Sequence, residues 1–352
     1  YIDSPATLKV KAFKLGMTPS SAATATYHIG GYISSAASFK YTGFDDRGFN
    51  RTIALKADGT IWWWGCKTYL TNISGTIYQL FETNYVPTQI VTNRYGGAIT
   101  NFVQVEAGIY SAAALKSDGT AWAWGSWANG ATPLVTNSPI ILPGLSNIVS
   151  VSCGTNHGAA LKSDGTVWHW GANDLLAPFP ATTNGSGVFT GITSIKSAGS
   201  KTYIIRNDGT LWKWSYPGPG TLTQQIQGGN ALTNIVQVDA YDSNTAYAVD
   251  VSNRLWKVST GDTWVVDSGL TNIIQVRAGL DHWLAFDTNG YIWSWGGNVE
   301  GQLGNGTTVG SYKKLAMTNA LVLDAAHNFS VVLKMDGSIV SWGANEIGEY
   351  GN

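Results

Sequence analysis

The stretch ALKSDGTVWHWG at residues 160–171 recurs, with variations, seven times along the chain. The other copies are ALKADGTIWWWG at 54–65, ALKSDGTAWAWG at 114–125, IIRNDGTLWKWS at 204–215, AVDVSNRLWKVS at 248–259, AFDTNGYIWSWG at 285–296 and VLKMDGSIVSWG at 332–343. Successive copies lie roughly 45 residues apart, and such a period indicates that each copy belongs to one supersecondary unit of a repeat protein.

Each unit predicts short antiparallel strands. An apolar run ends in a tight Asp-Gly or Asn-Gly turn, and an alternating strand with Trp at every second position follows it. Upstream lies another strand, seen as TNFVQVEAG (100–108), SNIVSVSCG (146–154), TNIVQVDAY (233–241) and TNIIQVRAG (271–279). The Gly/Pro/Thr-rich remainder can supply a fourth strand. We therefore predict an all-β, seven-bladed β-propeller of four-stranded antiparallel blades over residues 21–352, with blade one starting near residue 36.

Two segments carry a family resemblance. CGTNHGAALKSDGTVWHWGAN (153–173) and AGLDHWLAFDTNGYIWSWGGNVEGQLGNG (278–306) resemble the regulator of chromosome condensation repeat. The resemblance covers roughly residues 36–352 and implies a seven-bladed propeller. It does not imply the nucleotide-exchange activity of the eukaryotic founder on chromatin, because the basic nuclear tail is missing and the loops after each Trp-Gly vary in length.

The ends of the chain must close the ring. The alternating segment AATATYHI at 22–29 is expected to supply the outer strand of the last blade. Residues 1–20, together with that segment, resemble the last strands of the immunoglobulin-like domain found C-terminally in chitobiase-type bacterial proteins. Tyr1 is therefore expected to begin inside a larger protein or to follow a cleavage.

Composition excludes several classes of partner. Lys+Arg number 21 and Asp+Glu 22, and no basic stripe exists, so a nucleic-acid partner is not expected. No run of 18 apolar residues occurs, so no membrane span is expected. Low charge with 42 Gly resembles bacterial secreted or cell-surface repeat proteins. We accordingly expect a secreted or cell-surface bacterial protein.

The sixteen Trp residues fall into two groups. Twelve occupy two columns of the repeat, and we expect these rings to pack into the next blade as part of the core. The four outside the columns are Trp63, Trp127, Trp264 and Trp283. Each of these four is either local packing under a loop or an exposed recognition residue, and the sequence leaves both interpretations open.

The sequence does not assemble a catalytic constellation. His157 and His282 occupy the family's His position, but the equivalent residues in other blades are not His, and no Ser-His-Asp arrangement follows from spacing. We expect no metal site, no cofactor and no enzyme activity. Cys66 and Cys153 fall in non-adjacent blades, so we expect no disulfide between them.

Recognition is predicted on the rim that collects the loops between strands one and two and between strands three and four. The candidate ligand-binding residues there are Tyr69, Tyr110, Trp127, Asn156, Tyr216, Trp264, Asp281 and His282, with Trp63 and Trp283 as secondary candidates. The function we infer is a non-enzymatic binding module for a glycan or a protein. The main alternative is a structural subunit of an extracellular assembly, joined through residues 1–20. A catalytic site at the channel mouth is disfavoured by the missing constellation.

Overall fold

The computed structural model describes residues 6–10, 23–27, 33–40, 50–56, 58–73, 76–108, 111–126, 135–155, 157–171, 178–182, 187–216, 221–241, 245–258, 263–310, 312–315, 317, 320–326, 328–335 and 339–344. All regular secondary structure in these residues is β-strand, and the strands follow the chain as a series of antiparallel sheets. Within the same residues no helix is long and apolar enough to cross a membrane.

The N-terminal strands precede the first two blades. Strands β1 (Ala6–Val10) and β2 (Ala23–Tyr27) pair with each other. Blade one contains β3 (Ile33–Lys40), β4 (Asn50–Lys56), β5 (Ile61–Ile73) and β6 (Thr76–Ile90). Blade two contains β7 (Phe102–Ala107), β8 (Ser111–Lys116), β9 (Ala121–Ser126) and β10 (Val135–Ile141).

The next three blades repeat this order. Blade three contains β11 (Ile148–Cys153), β12 (His157–Lys162), β13 (Val167–Gly171) and β14 (Phe179–Pro180). Blade four contains β15 (Ile192–Ala198), β16 (Lys201–Arg206), β17 (Leu211–Ser215) and β18 (Thr221–Gln224), and a small sheet of β19 (Ile226–Gln227) and β20 (Asn230–Ala231) follows it. Blade five contains β21 (Ile235–Ala240), β22 (Ala246–Asp250), β23 (Leu255–Val258) and β24 (Trp264–Val266).

The last two blades complete the ring. Blade six contains β25 (Ile273–Ala278), β26 (His282–Asp287), β27 (Ile292–Gly296) and β28 (Lys313–Lys314). Blade seven contains β29 (Ala320–Ala326), β30 (Phe329–Lys334) and β31 (Ile339–Gly343). The innermost strands contact one another around the ring, and β29 of blade seven contacts β3 of blade one. The predicted seven-bladed propeller of mostly four-stranded antiparallel blades is confirmed.

Two features of the described strands differ from the sequence-based expectation. The N-terminal strand that contacts β31 is β1, and β2 pairs with β1; residues 22–29, which contain β2, were expected in that position. Polar and apolar residues alternate in both segments, so this pattern alone does not show which of the two contacts blade seven. In blade one, β5 and β6 remain paired as far as Ile73 and Thr76. The Gly/Pro/Thr-rich remainder of this unit, from which only a fourth strand was expected, thus extends the hairpin beyond its blade. We call residues 66–73 and 76–83 the blade-one arm.

The second Trp column forms the core between blades. Trp124, Trp170, Trp214 and Trp295 are buried, each in a cluster shared with apolar residues of the preceding blade. Trp170, for example, packs with Leu115 of blade two. We expected these rings to pack into the following blade, and that direction is wrong. Each buried ring of this size removes on the order of 150–250 Å² of surface from water, so the second Trp column contributes strongly to packing between blades.

Backbone hydrogen bonds also join neighbouring blades at the turns. Ile148 N of blade three donates to Gly119 O, in the turn of blade two, at 2.9 Å. The residue before Ile148 is Asn147, whose φ of 57° lies in the left-handed region that Asn tolerates better than most residues. Phe102, Ile192, Ile235 and Ile273 donate in the same way to the preceding blade's turn. The Asn at the second position of segments such as TNFVQVEAG and SNIVSVSCG therefore has a structural role that was not predicted from the sequence.

Candidate functional site

The strand order divides the loops between two faces of the ring. We call the face with the Asp-Gly turns and the connections from strand four to the next blade the turn face. The opposite face, with the connections between strands one and two and between strands three and four, we call the loop rim. The candidate ligand-binding residues were predicted on the loop rim.

Side chains on the turn face form a repeated hydrogen-bonded chain. Trp122 Nε1 donates to Thr120 Oγ1 at 3.0 Å, and Thr120 Oγ1 donates to Asp118 Oδ1 at 2.6 Å. The Lys116 ammonium lies 4.6 Å from the Trp122 ring centroid, in a cation–π contact. Hydrogen bonds from the Thr120 side chain and backbone lower the pKa of Asp118. The turn Asp is thus a structural residue. The hydrogen bonds recur at Trp62, Trp168 and Trp212 in blades one, three and four, and the cation–π contact recurs at Trp62 and Trp168.

Blades five and six reach the same result with different residues. The position of Thr120 is taken by Arg254 in blade five, and Asp250 occupies the position of Lys116. Asp250 Oδ2 accepts a hydrogen bond from Trp256 Nε1 at 2.9 Å, and the Arg254 guanidinium lies 5.2 Å from the Trp256 ring centroid. In blade five the carboxylate thus precedes the cation along the turn, whereas in blade two the cation, Lys116, precedes the carboxylate, Asp118. Asp287 accepts from Trp293 in the same way in blade six.

The two family His residues are buried between blades. His157 Nε2 forms a hydrogen bond with Thr202 Oγ1 of blade four at 2.9 Å, and burial lowers the pKa of His157 to about 4. His282 Nε2 forms the equivalent bond with Ser330 Oγ of blade seven at 2.9 Å. Both His residues have no exposed surface. The expectation that His282 is presented to a ligand on the loop rim is therefore wrong, because its ring joins blades six and seven.

A Gly three residues upstream makes space for each His ring. A Cβ at Gly279 would lie 2.1 Å from His282 Cε1, and a Cβ at Gly154 would lie 2.4 Å from His157 Cε1. Real Cβ atoms do not approach other heavy atoms so closely, so the Gly-x-x-His spacing in these blades is a packing requirement.

Trp264 is not an exposed rim residue. It is 1% exposed at the start of β24, where its Nε1 donates to Gln225 Oε1 at 3.1 Å and its ring meets Tyr203 edge-on. The expectation of an exposed recognition residue is wrong here, because the outer strand of blade five folds Trp264 onto blade four. Trp63 and Trp283 are buried too, at 7% and 6% exposure, so local packing explains them.

Two candidates keep exposed surface on the described part of the loop rim. Asp281 is exposed, and its Oδ1 accepts a hydrogen bond from Gln302 Nε2 at 3.1 Å. Tyr216 is half-buried, and its ring stacks on His157 with centroids 5.8 Å apart. Partial burial raises the pKa of Tyr216.

The remaining candidates lie partly or wholly outside the described residues. Tyr69 lies in the blade-one arm, where its backbone pairs with that of Leu80. Tyr110, Trp127 and Asn156 lie outside the residues that the structure describes. Among the described residues, no group of three or more His, Cys, Asp or Glu is placed to hold a metal ion.

The central channel carries charged residues that the sequence analysis missed. One register position of the innermost strands, the third residue from the end of strings such as TNFVQVEAG, is occupied by five charged residues: Glu106, Lys196, Asp239, Arg277 and Asp324. We call these five residues the channel girdle. Lys196 Nζ lies 3.2 Å from Asp239 Oδ1, and Arg277 lies 3.7 Å from Asp239 Oδ2. The signal was present in the sequence, as a charged residue at one fixed position of the recurring first strand.

The girdle also joins two blades that are not neighbours in the ring. Lys196 of blade four also lies 3.9 Å from Glu106 of blade two, although blade three separates them in the ring. The blade-three residue at this register position is Ser152. Desolvation in the enclosed channel raises the pKa of Asp324 to about 7, even though Arg277 and Lys196 oppose the shift.

Comparisons with known proteins agree with this architecture. Residues 148–175 and 273–302 match the family model of the Regulator of chromosome condensation (RCC1) repeat. The fold is similar to that of human WBSCR16, with a TM-score of 0.66 and 13% identity over 94% of this chain and 99% of that chain. It is also similar to Prp20p from Saccharomyces cerevisiae, with a TM-score of 0.62 and 18% identity over 82% of each chain.

A further yeast structure fits the same class. Yeast RCC1 (Prp20), solved with Kap60, gives a TM-score of 0.59 and 19% identity over 82% of this chain and 80% of that chain. No curated protein sequence matches the chain significantly. The chain therefore has an RCC1-like β-propeller fold. The structure of Prp20p was described with its binding to Gsp1p and histones.

Proposed function

We propose that this chain is a non-enzymatic binding propeller of the bacterial exterior, which recognises a protein or a glycan through its loop rim. The residues that the blades share are engaged in packing: Trp columns, turn Asp residues and family His residues all have structural partners. Differences between blades are concentrated in the loops, where recognition residues of rigid scaffolds usually lie. The low charge and Gly-rich composition support the extracellular location.

The observation that carries this proposal is the loop between β27 and β28 of blade six. Asn298, 2% exposed, donates from Nδ2 to Thr307 O at 2.8 Å and to Val309 O at 3.1 Å. Its Oδ1 accepts from Leu303 N at 2.9 Å. One buried amide thus fixes both arms of the loop, so the loop is preorganised.

This fixed loop presents apolar side chains to solvent beside Asp281. Val299 is 74% exposed and Val309 is 69% exposed. Preorganisation lowers the entropic cost of binding, and apolar groups next to a carboxylate suit a mixed protein surface or the faces of a sugar. The candidate surface therefore consists of Val299, Val309 and Asp281.

A binding screen with matched variants tests the proposal. The monomeric protein is applied to a glycan array and to an array of bacterial surface proteins. We expect saturable binding to at least one ligand, at least tenfold weaker in Val299→Ser/Val309→Ser. Val266→Ser, which changes an exposed residue of β24, is the matched control and should bind like wild type. Absence of binding on both arrays, or equal binding by the loop variant, would refute the proposal.

The N-terminal strands support a second candidate, a structural subunit of an extracellular assembly. In the described residues β2 pairs only with β1, so its other edge is open to a strand from a neighbouring molecule. Sedimentation velocity over a range of concentrations separates the two functions. A subunit polymerises through this edge and shows no ligand on the arrays, whereas a binding module stays monomeric.

A further inference from the structure

A β-bulge occurs at the same place in the first strand of every blade. The pairing register shifts between Phe102 and Gln104 in blade two, and the equivalent shift appears in each of the other blades. The residues inside the seven bulges are Ser34, Val103, Val149, Thr193, Val236, Ile274 and Leu321. Bulges re-aim side chains, and a bulge repeated at each blade places its residues in a ring.

Five of these bulge residues are aliphatic and exposed. Their exposed fractions run from 49% to 58%, and they are Val103, Val149, Val236, Ile274 and Leu321. We call these five the bulge collar. Thr193 occupies the same position in blade four and is also exposed, so the backbone accepts a polar residue there. Packing within the propeller therefore does not require aliphatic residues at this position, and their exposure needs another explanation.

The bulge collar surrounds the channel entrance on the turn face. Phe102, which precedes Val103, donates its N–H to Gly59 O in the turn of blade one at 3.1 Å. Innermost strands of neighbouring blades contact one another, so the bulge residues of adjacent blades are neighbours around the entrance. Charged turn residues such as Lys116 and Asp118 lie farther out on the same face. An apolar centre with a polar margin is the usual composition of a protein-binding surface.

The channel girdle lies beneath this collar. Val103 and Glu106 are three residues apart on one strand, which corresponds to about 10 Å at 3.3 Å per residue. Side chains from blades two and four meet over the small Ser152 of blade three at that depth, which narrows the passage. It is suited to a single slender side chain and not to a folded domain.

The charges of the girdle favour a cation as that side chain. Among the described residues of the girdle, three carboxyl groups, Glu106, Asp239 and Asp324, share two cations, Lys196 and Arg277. Asp239 contacts both cations, whereas Asp324 makes no ion pair within the described part of the chain. A Lys or Arg side chain has a flexible apolar stem that can pass the collar and a charged end that can reach Asp324.

We propose that the turn face is a second docking surface, for a partner polypeptide that seats an apolar side chain on the bulge collar and inserts an adjoining Lys or Arg side chain into the channel girdle. This surface is separate from the loop rim, and its occupant is a protein segment with an apolar-basic pair at an exposed tip or terminus. The raised pKa of Asp324 agrees with this assignment, since a bound cation stabilises the ionised carboxylate.

Peptide selection tests the proposal with the whole chain. A phage-displayed library of random dodecapeptides is selected on the purified protein, and the enriched peptides are synthesised and titrated by fluorescence anisotropy. We expect a consensus with an aliphatic or aromatic residue beside Lys or Arg. Binding should be at least tenfold weaker for Val236→Ser/Ile274→Ser and for Asp324→Asn. Replacing the basic residue of the peptide with Glu should abolish binding to wild type.

Controls separate this surface from the loop rim. Val266→Ser is a matched exposed aliphatic variant on an outer strand, and Asp281→Asn is a matched carboxylate variant on the loop rim. Both should bind the peptide within twofold of wild type, whatever the outcome of the loop-rim screen. The proposal is overturned if no apolar-basic consensus emerges, or if the collar and Asp324 variants bind like wild type while their melting temperatures show that they are folded.

Discussion

His169 of blade three stacks on Trp214 of blade four, with ring centroids 3.8 Å apart and planes 15° apart. Both ring nitrogens of His169 are buried without a hydrogen-bond partner. The family residue His157 lies beside it, with ring centroids 6.3 Å apart. The interface between blades three and four therefore contains two neutral imidazoles, and burial lowers the pKa of both.

We expect His169→Phe to stabilise the protein. Phe keeps an aromatic ring against Trp214 and removes two buried nitrogens that lack partners, which should raise the free energy of unfolding by about 1–3 kcal/mol at pH 7. His169→Gln, which keeps buried polar atoms and loses the ring, is the matched control and should be less stable than wild type. Urea unfolding at pH 7 measures both, and a destabilised Phe variant would contradict the prediction.

The same substitution should reduce acid sensitivity. The unfolded chain takes up protons at His near pH 6.5, whereas the buried rings stay neutral to much lower pH, so stability is full above pH 6.5 and falls as the pH drops toward 4. Each buried His contributes up to about 1.4 kcal/mol per pH unit in this window. Urea midpoints measured from pH 7.5 to 4.5 should decline less steeply in His169→Phe than in wild type.

Asp324 should give the opposite dependence on pH. Its folded-state pKa of about 7 lies above the unfolded value, so the folded state holds a proton that the unfolded state releases. Stability from this group is full near pH 4 and is lost as the pH rises through 7. Asp324→Asn should therefore match wild type near pH 4 and exceed it at pH 8, by on the order of 1–2 kcal/mol after allowance for water in the channel.

The charged neighbours of Asp324 act on its pKa in both directions. Arg277 and Lys196 favour its ionised form, whereas Glu106 and Asp239 oppose it. Asp281→Asn, at an exposed carboxylate on the loop rim, is the matched control for the effect of an Asp-to-Asn change on stability. If Asp324→Asn shows no gain at pH 8, the girdle does not carry an excess carboxylate, and a docked cation loses its electrostatic basis.

Local repeats explain why the blades were predictable. The Asp-Gly turn and the alternating Trp residues lie within a dozen residues of one another, so each copy of the repeat predicts the same hairpin. Trp264 and the blade-one arm were missed for a different reason. Trp264 is buried by contacts with Tyr203 and Gln225 of the preceding blade, and no local pattern encodes contacts over such a separation.

The candidate site was less predictable than the fold. The local sequence around His282 does not show whether its ring faces solvent or contacts the next blade. In the structure the ring is bonded to Ser330 of blade seven. The girdle forms only when the innermost strands of different blades surround one channel. In the separate repeats its charged residues therefore look unrelated. Only the register of the innermost strands shows that Glu106, Lys196 and Asp324 share one level.

Gly279→Ala should destabilise the protein through His282. The added methyl group would meet the His282 ring at 2.1 Å, and the ring is held in place by Ser330. We expect a loss of about 1–3 kcal/mol in the single variant, as for other overpacked sites. His282→Ser removes the ring and introduces the residue type that blade two carries at Ser111, so the double variant should recover part of the loss. Simple additivity in the double-mutant cycle would contradict this explanation.

Removal of residues 1–30 should expose blade seven. In the described residues β31 contacts β1, so the deletion leaves the backbone edge of β31 without a neighbour. We expect a lower melting temperature and concentration-dependent aggregation by light scattering. A six-residue Gly-Ser insertion between residues 74 and 75, which link β5 to β6 in the sequence, is the control for a change in chain length and should leave both properties unaltered. A deletion variant as soluble and heat-stable as the whole chain would show that β1 does not close the ring.

Trp264→Ala should behave as a core substitution. Its ring is enclosed between Tyr203 and the apolar residues of blades four and five, so truncation should cost about 3–5 kcal/mol of stability. Trp264→Phe keeps most of the packing but leaves Gln225 Oε1 without the indole donor, and we expect an intermediate loss of about 1–2 kcal/mol. Val266→Ser, two residues along the same strand but exposed, should change stability by less than about 0.5 kcal/mol. Urea unfolding of the three variants gives the order directly, and a Trp264→Ala protein as stable as Val266→Ser would mean that the outer strand of blade five does not hold this ring in the core.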